Sequence, residues 1–121
     1  MIIAGYGFVG KAYEWLFKNH RRKIEIHDPR LGYTADFAST SAVVICVATP
    51  QADDGTCDMS AVYDVVEQCY KDTPIMIKST ISLQGWYELK ERFPNHKLCF
   101  SPEFLRAANH MNDIRDMDTF V

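Results

Sequence analysis

Several classes of protein are excluded by what the sequence does not contain. No apolar run in its 121 residues approaches the roughly 20 consecutive apolar residues that a bilayer-spanning helix needs. Positive charge is not in excess. Lys and Arg number 13 against 16 Asp and Glu, a formal charge of -3, so a broad nucleic-acid surface is not expected. The one basic cluster, His20-Arg21-Arg22-Lys23, follows a helical pattern, where cations suit the negative end of a helix dipole. None of the four cysteines (Cys46, Cys57, Cys69, Cys99) forms a C-x-x-C pair, and the four histidines lack ligand spacing, so no metal site is expected. The chain runs straight into a strand-like Met1-Ile2-Ile3-Ala4 with no secretory leader. Together with free thiols, this reads as a reducing, cytoplasmic setting. Without repeats, low-complexity stretches or linkers, residues 1–121 are expected to form a single domain.

What is present is an alternation of short apolar runs with amphipathic segments. The runs are Met1 to Ala4, Ile24 to Ile26, Ala42 to Ala48, Pro74 to Ile77 and Leu98 to Phe100. Several are continuous and rich in Val and Ile, the pattern of strands buried on both faces of a parallel sheet. Between them, Val9, Ala12, Tyr13 and Leu16 share one face of a helix predicted over Phe8 to His20. Val62, Val65, Val66 and Cys69 do so over Asp58 to Lys71, with Asp58 placed as the cap. Trp86, Leu89 and Phe93 form the stripe of a third helix over Ser82 to Phe93, closed by Pro94, and a short fourth helix is expected from about Phe104 to Asn112. The stretch from Asp28 to Thr40 has room for one helical turn or a loop. Strand and helix in alternation predict an α/β, doubly wound parallel sheet. The Asp53-Asp54-Gly55 segment lacks EF-hand spacing and reads as a turn.

Gly5-Tyr6-Gly7-Phe8-Val9-Gly10 fits G-x-G-x-x-G, and it lies between a buried strand and an amphipathic helix, where that motif has a mechanism. Gly5 permits the tight turn, Gly7 lets backbone approach a pyrophosphate, and Gly10 lets helix and strand pack closely. The free N–H groups and positive dipole of the helix would hold phosphate. Asp28 follows the second strand, 18 residues beyond Gly10. A carboxylate there accepts from ribose hydroxyls and repels a 2′-phosphate, which favours NAD over NADP. Arg30 leaves two options open, stacking on adenine or accommodating a phosphate. The domain is therefore expected to be a Rossmann-like NAD-binding domain. Its ligand should lie outside the carboxyl ends of the strands, against Val47-Ala48-Thr49-Pro50, Lys78-Ser79-Thr80 and Ser101-Pro102-Glu103-Phe104-Leu105-Arg106.

These segments, in this order, resemble the nucleotide-sugar 6-dehydrogenases, the UDP-glucose and GDP-mannose 6-dehydrogenase family. That family carries GxGYVG, VPTP, KST and PEFLREG at the corresponding strand ends. The resemblance implies two successive NAD-dependent oxidations of the C6 hydroxyl of a nucleotide sugar, through an active cysteine on a second domain. It implies that Thr80 positions the catalytic water and contacts NAD, that Glu103 assists thioester hydrolysis, and that Glu103, Phe104, Leu105 and Arg106 face the substrate. Val47, Thr49 and Pro50 are placed with Gly5 to Gly10, Asp28, Arg30 and Thr80 on the cofactor. A carboxylate beside an apolar Phe104-Leu105 pair would be partly desolvated, as general base work requires. A threonine hydroxyl can both donate to and accept from a water.

Three departures stand out. Ala48 replaces the first proline of VPTP, Ala107 replaces the second glutamate of PEFLREG, and the chain ends at Val121, where a sixth strand is expected to begin. The family's central helix, through which its members dimerise, its substrate-binding domain and its nucleophilic cysteine have no counterpart here. None of the four cysteines stands in the family's nucleophile motif. The chain alone is accordingly expected to bind NAD without completing the oxidation. Two alternatives remain open: a non-catalytic NAD-responsive module, or the cofactor domain of a 3-hydroxyacid-type dehydrogenase.

Overall fold

Three-residue strands at the centre of the sheet consist only of apolar side chains: β1 is Ile2–Ala4 and β3 is Val43–Ile45, and every residue in both is buried. β2 (Glu25–His27) flanks β1, while β4 (Pro74–Ile77) and β5 (Lys97–Phe100) extend the sheet beyond β3. The order is β2-β1-β3-β4-β5, with every pairing parallel, in this computed structural model, which describes residues 1–117. The expected sixth strand at Thr119-Phe120-Val121 lies outside the described residues.

Helices cover both faces, because alternate strand residues point to opposite sides. Ile2, Val43, Ile45, Ile75 and Ile77 pack with Val62, Val65 and Val66 of α2 (Ser60–Gln68) and with Leu89 of α3 (Leu83–Arg92). Ile3 and Val44 point the other way, against Ala12 and Tyr13 of α1 (Phe8–Asn19) and Ile114 of α4 (His110–Arg115). Burial is continuous only in the central strands. In β5, Leu98 and Phe100 are half-buried while Lys97 and Cys99 are exposed, the alternation of a half-covered edge.

Elements fall where the periodicity predicted, with three instructive shifts. The third helix starts where predicted, and the structure adds its cap: Ser82 Oγ accepts from Gly85 N at 2.9 Å. The second is shorter than the predicted Asp58 to Lys71. Asp58 Oδ1 accepts from Ser60 N at 2.9 Å, but as part of the turn that enters the helix. At the other end Cys69 is extended (φ -84, ψ 141), which buries its side chain and leads into the turn before Pro74. The largest shift concerns the fourth helix, which runs over His110–Arg115 and not from Phe104. Residues 101–106 form no regular structure, because they are tied to other elements as described below. The β2–β3 crossover has two single 3₁₀ turns, Pro29–Leu31 and Phe37–Ser39, where the sequence left a choice between one turn and a loop. Phe37 is buried there, so one ring takes the place of a helix over that part of the sheet.

Candidate functional site

Strand order reverses between β1 and β3, and the chain leaves these neighbours on opposite faces, opening a crevice at their carboxyl ends. The glycine turn forms one wall. Gly5 has φ +91, and a Cβ there would lie 2.6 Å from the backbone of Cys46 and Val47. A Cβ on Gly10 would lie 2.1 Å from the Gly5 carbonyl oxygen, so Gly10 is required by close packing of α1 on the turn. Gly7 differs from both. A Cβ there would meet nothing within 4 Å. The chain's own packing does not require that glycine; it leaves open space at the N-terminus of a 12-residue helix. No side chain caps this terminus and no acid occupies its first turn, so its free N–H groups and positive dipole face the crevice.

Asp28 closes the β2 end and is 7% exposed. Its Oδ2 accepts from Tyr6 N at 2.9 Å, and Oδ1 enters no other hydrogen bond among the described residues. The neighbouring Tyr6 hydroxyl donates to Glu14 at 2.6 Å, which pushes its ionisation up to about 12. His27 is buried under Phe37, and its Nδ1 accepts from Ala35 N at 3.4 Å. Burial holds its pKa below the usual histidine range, against the opposing pull of Asp28.

The remaining strand ends complete the wall. Thr49 Oγ1 donates to the Thr80 carbonyl, linking the β3 and β4 exits. Ser79 Oγ donates to Val47 O at 2.7 Å, while Lys78 N and Ser79 N both donate to Ile45 O. A cavity of about 500 Å³ is lined by Gly5 to Val9, Asp28, Arg30, Val47, Thr49, Thr80, Glu103 and Leu105. A second, of about 440 Å³, shares Gly5, Asp28, Arg30 and Val47 with it, and includes Pro50, so the two form one trough across the strand ends.

Three predicted residues are not in this wall: Gly10 (packed behind the turn), Phe104 and Arg106. Phe104 is 70% exposed, and Arg106 turns outward to Asp113, with its Nη2 2.6 Å from Oδ1 and its own N–H 2.9 Å from Oδ2. Glu103 is in the wall, but its surroundings differ from the apolar Phe-Leu setting expected of it. Its Oε1 accepts from the backbone N–H groups of Phe104 (2.8 Å) and Leu105 (3.1 Å), and its Oε2 lies 3.6 Å from Lys78 Nζ. The side chains of Lys78 and Glu103 are only 3% and 6% exposed.

Sequence reasoning missed the partners of Glu103. The sequence places Lys78 with Ser79 and Thr80 along the rim but gives it no role of its own. The available signal was a lysine directly after an all-apolar strand, where a charge has no solvent. Burial lowers its pKa, opposed by the Glu103 charge. Tyr13 is a core residue, as its place on the apolar helix face predicts, and its phenol also faces Glu103; burial and that carboxylate push its ionisation far above the tyrosine range. Cys46 also lines the cavity. Burial pushes its thiol up to about 12, which leaves it protonated and inert as a nucleophile. Among the described residues no group of three or more His, Cys, Asp or Glu could hold a metal ion. No helix among them is long and apolar enough to cross a membrane.

A parallel sheet with an uncapped helix terminus, an open glycine and a carboxylate at the end of the second strand define a dinucleotide-binding domain. A Cβ at Gly7 would meet nothing within 4 Å, and Asp28 uses only Oδ2 in hydrogen bonds among the described residues, a space and an acceptor whose chemistry suits phosphate and ribose hydroxyls. The chain belongs to the UDP-glucose/GDP-mannose dehydrogenase family, NAD binding domain, whose family model matches residues 19–121. That match begins beyond the glycine turn, so the reading of Gly5 to Gly10 stands on the geometry of the turn itself. The UDP-glucose 6-dehydrogenase of Rickettsia bellii is 33% identical over 97 residues, covering 74% of this chain and 22% of the relative. That of Streptococcus pneumoniae is 38% identical over 73 residues, 55% of this chain and 18% of the relative. The chain thus spans about a fifth of the length of these relatives. The fold matches a GDP-mannose dehydrogenase from Pseudomonas aeruginosa with a TM-score of 0.73 at 16% identity, over 93% of this chain and 38% of that one. It also matches a UDP-glucose dehydrogenase from Pyrobaculum islandicum with a TM-score of 0.72 at 19% identity, over 98% of this chain and 39% of that one.

Proposed function

We propose that this chain is the cofactor-holding part of a nucleotide-sugar 6-dehydrogenase, an enzyme that oxidises the C6 hydroxyl of a UDP- or GDP-sugar to the carboxylate in two NAD-dependent steps. The observation that carries this reading is the presence of Glu103 and Thr80 in the same cavity wall as the glycine turn and Asp28. One wall thus holds the groups for binding a dinucleotide and those for handling a proton.

When bound, NAD supplies the hydride acceptor. The protein's own residues do the rest. The N–H groups at the start of α1 hold the pyrophosphate, and Gly7 keeps that approach clear. Asp28 accepts from the adenosine ribose and disfavours a 2′-phosphate; Arg30 is exposed beside it at the adenine side. Thr80, its carbonyl fixed by Thr49, orients a water, and Glu103 takes a proton from it during hydrolysis of the acyl intermediate. The nucleophile, the sugar-nucleotide pocket and any dimer contact are assigned to the portion of the relatives that this chain does not span. Leu105 borders the substrate side of the cavity, and the exposed Phe104 and Arg106 are placed to meet that second portion.

Calorimetric titration with NAD and NADP tests the cofactor half of the reading. NAD binds, and NADP binds at least tenfold more weakly; equal affinity for both, or for neither, overturns it. Absorbance at 340 nm tests the other half. With NAD and UDP-glucose or GDP-mannose, the 121-residue chain forms no NADH, and turnover by this chain alone would refute the division of labour.

A further inference from the structure

Beneath the cavity lies a buried ammonium, that of Lys78, which the proposed chemistry does not use. Lys78 leaves β4 and sends its side chain under the turn that follows β5. Its Nζ lies 3.1 Å from Ser101 Oγ, 3.2 Å from the Pro102 carbonyl and 3.6 Å from Glu103 Oε2. It also sits 5.2 Å from the centroid of the Tyr13 ring, so α1 supplies a fourth favourable contact through the ring face. One ammonium thus touches three consecutive residues of an irregular segment and one helix. Ser101 N still donates to the Ile77 carbonyl at 3.0 Å, but residues 102–106 belong to no helix or strand. Side-chain contacts therefore carry much of their conformation, and the Lys78 ammonium reaches residues 101, 102 and 103 together.

We propose that Lys78 is a positioning residue for Glu103: it fixes the turn after β5 and holds the carboxylate, as its counter-ion, in the floor of the cavity. Two physical points support the assignment. A carboxylate this buried needs a partner, and Oε1 is satisfied only by the N–H groups of its own turn, which move with it. Lys78 follows a different strand, so it ties the carboxylate to the rigid sheet by a charge, beside the Tyr13 phenol that faces it from α1. Moreover, an ammonium whose other partners are neutral oxygens depends on Glu103 for charge balance, so each group keeps the other in place. The inference rests on the reading that Glu103 serves the cavity.

The test is NMR on the isotope-labelled chain, comparing wild type with Lys78→Met, Glu103→Gln and the double variant. Two local probes are followed: the Lys78 ammonium 15Nζ signal, and the Phe104 and Leu105 amide protons that bond to Glu103. In the wild type the ammonium exchanges slowly, and in Glu103→Gln it exchanges on the order of tenfold faster. Lys78→Met moves both amide protons upfield, as Glu103→Gln does, and the double variant moves them no further. An ammonium that exchanges like that of an exposed lysine, or amide shifts that add in the double variant, would overturn the proposal. A merely structural lysine would disturb signals throughout the sheet and leave the two singles additive. If Lys78→Met does not fold, the ammonium in Glu103→Gln decides alone, and an unchanged exchange rate rejects the coupling. Titration of the same samples with NAD separates the two readings. Coupling without NAD binding sinks the proposed function, whereas NAD binding without coupling sinks only the role of Lys78.

Discussion

The two ends of the cavity are built by opposite means. At the β1–α1 end, backbone geometry does the work: Gly5 at φ +91, Gly10 against the Gly5 carbonyl, and uncapped N–H groups on α1. At the β5 end, residues 101–106 have no regular structure and take their shape from side chains that are distant in sequence, Lys78 on one side and Asp113 on the other. The first kind of site tolerates almost no change in its backbone-defining residues, yet depends on few partners. The second depends on charges that single substitutions remove while the fold survives.

Substitutions at Gly10 and Gly7 should break this comparison most forcefully. Gly10→Ala places a methyl 2.1 Å from a backbone oxygen that cannot move independently. It should cost about 3 kcal/mol, the upper end for overpacking, and is read as a fall in the denaturation midpoint. Gly7→Ala should leave the midpoint unchanged, because its Cβ enters open space, yet weaken NAD binding about tenfold or more in calorimetry. Equal destabilisation by the two would show that Gly7 is a packing residue after all.

Asp28 comes next in size. Asp28→Ala removes the ribose acceptor but also strands the buried Tyr6 N–H, so it should lower both affinity and stability. Asp28→Asn keeps an oxygen for Tyr6. It should hold the midpoint close to wild type while weakening NAD binding about tenfold, the scale of a hydrogen bond to a charged group. If NAD binds equally well to Asp28→Asn, the carboxylate does not read the ribose.

Acid should produce a smaller effect, centred on His27. Its pKa is depressed in the folded state by burial, so between the folded and unfolded values the unfolded chain binds more protons. Stability from this group is therefore complete above the unfolded value of about 6.5, falls as pH drops below it, and levels off below the folded value. Denaturation midpoints measured from pH 7.5 to 5 should show this decline, and His27→Gln should flatten that part of it. The smallest effect is expected at Arg106. Its pairing with Asp113 lies at the surface, so Arg106→Ala should leave the midpoint and NAD affinity of this chain nearly unchanged. A large loss of NAD affinity there would return Arg106 to the cavity wall from which the structure removes it.

How much was legible follows the same division. The strands, α1, α3 and the glycine turn could be read because apolar period, cap and glycine placement are local signals that act within one turn or one strand. The start of α3 at Ser82 and Asp28 at the end of β2 are visible on those grounds. The fourth helix was placed too early because its predicted start, Phe104-Leu105-Arg106, carries ordinary helix formers. Tertiary contacts override that preference: Glu103 accepts from the next two N–H groups, and Arg106 is drawn to Asp113.

Composition and pattern by themselves determined the layered sheet, its parallel sense, and the glycine turn with an acid at the second strand's end. Each of these follows from residues within about one supersecondary unit of each other. Only the tertiary structure decided which groups surround Glu103. Lys78 is 25 positions away and Tyr13 is 90 away, and both reach it because β4, β5 and α1 converge at one corner of the sheet. A buried charge is placed by whatever strands the topology makes neighbours, and no local period in the sequence encodes that.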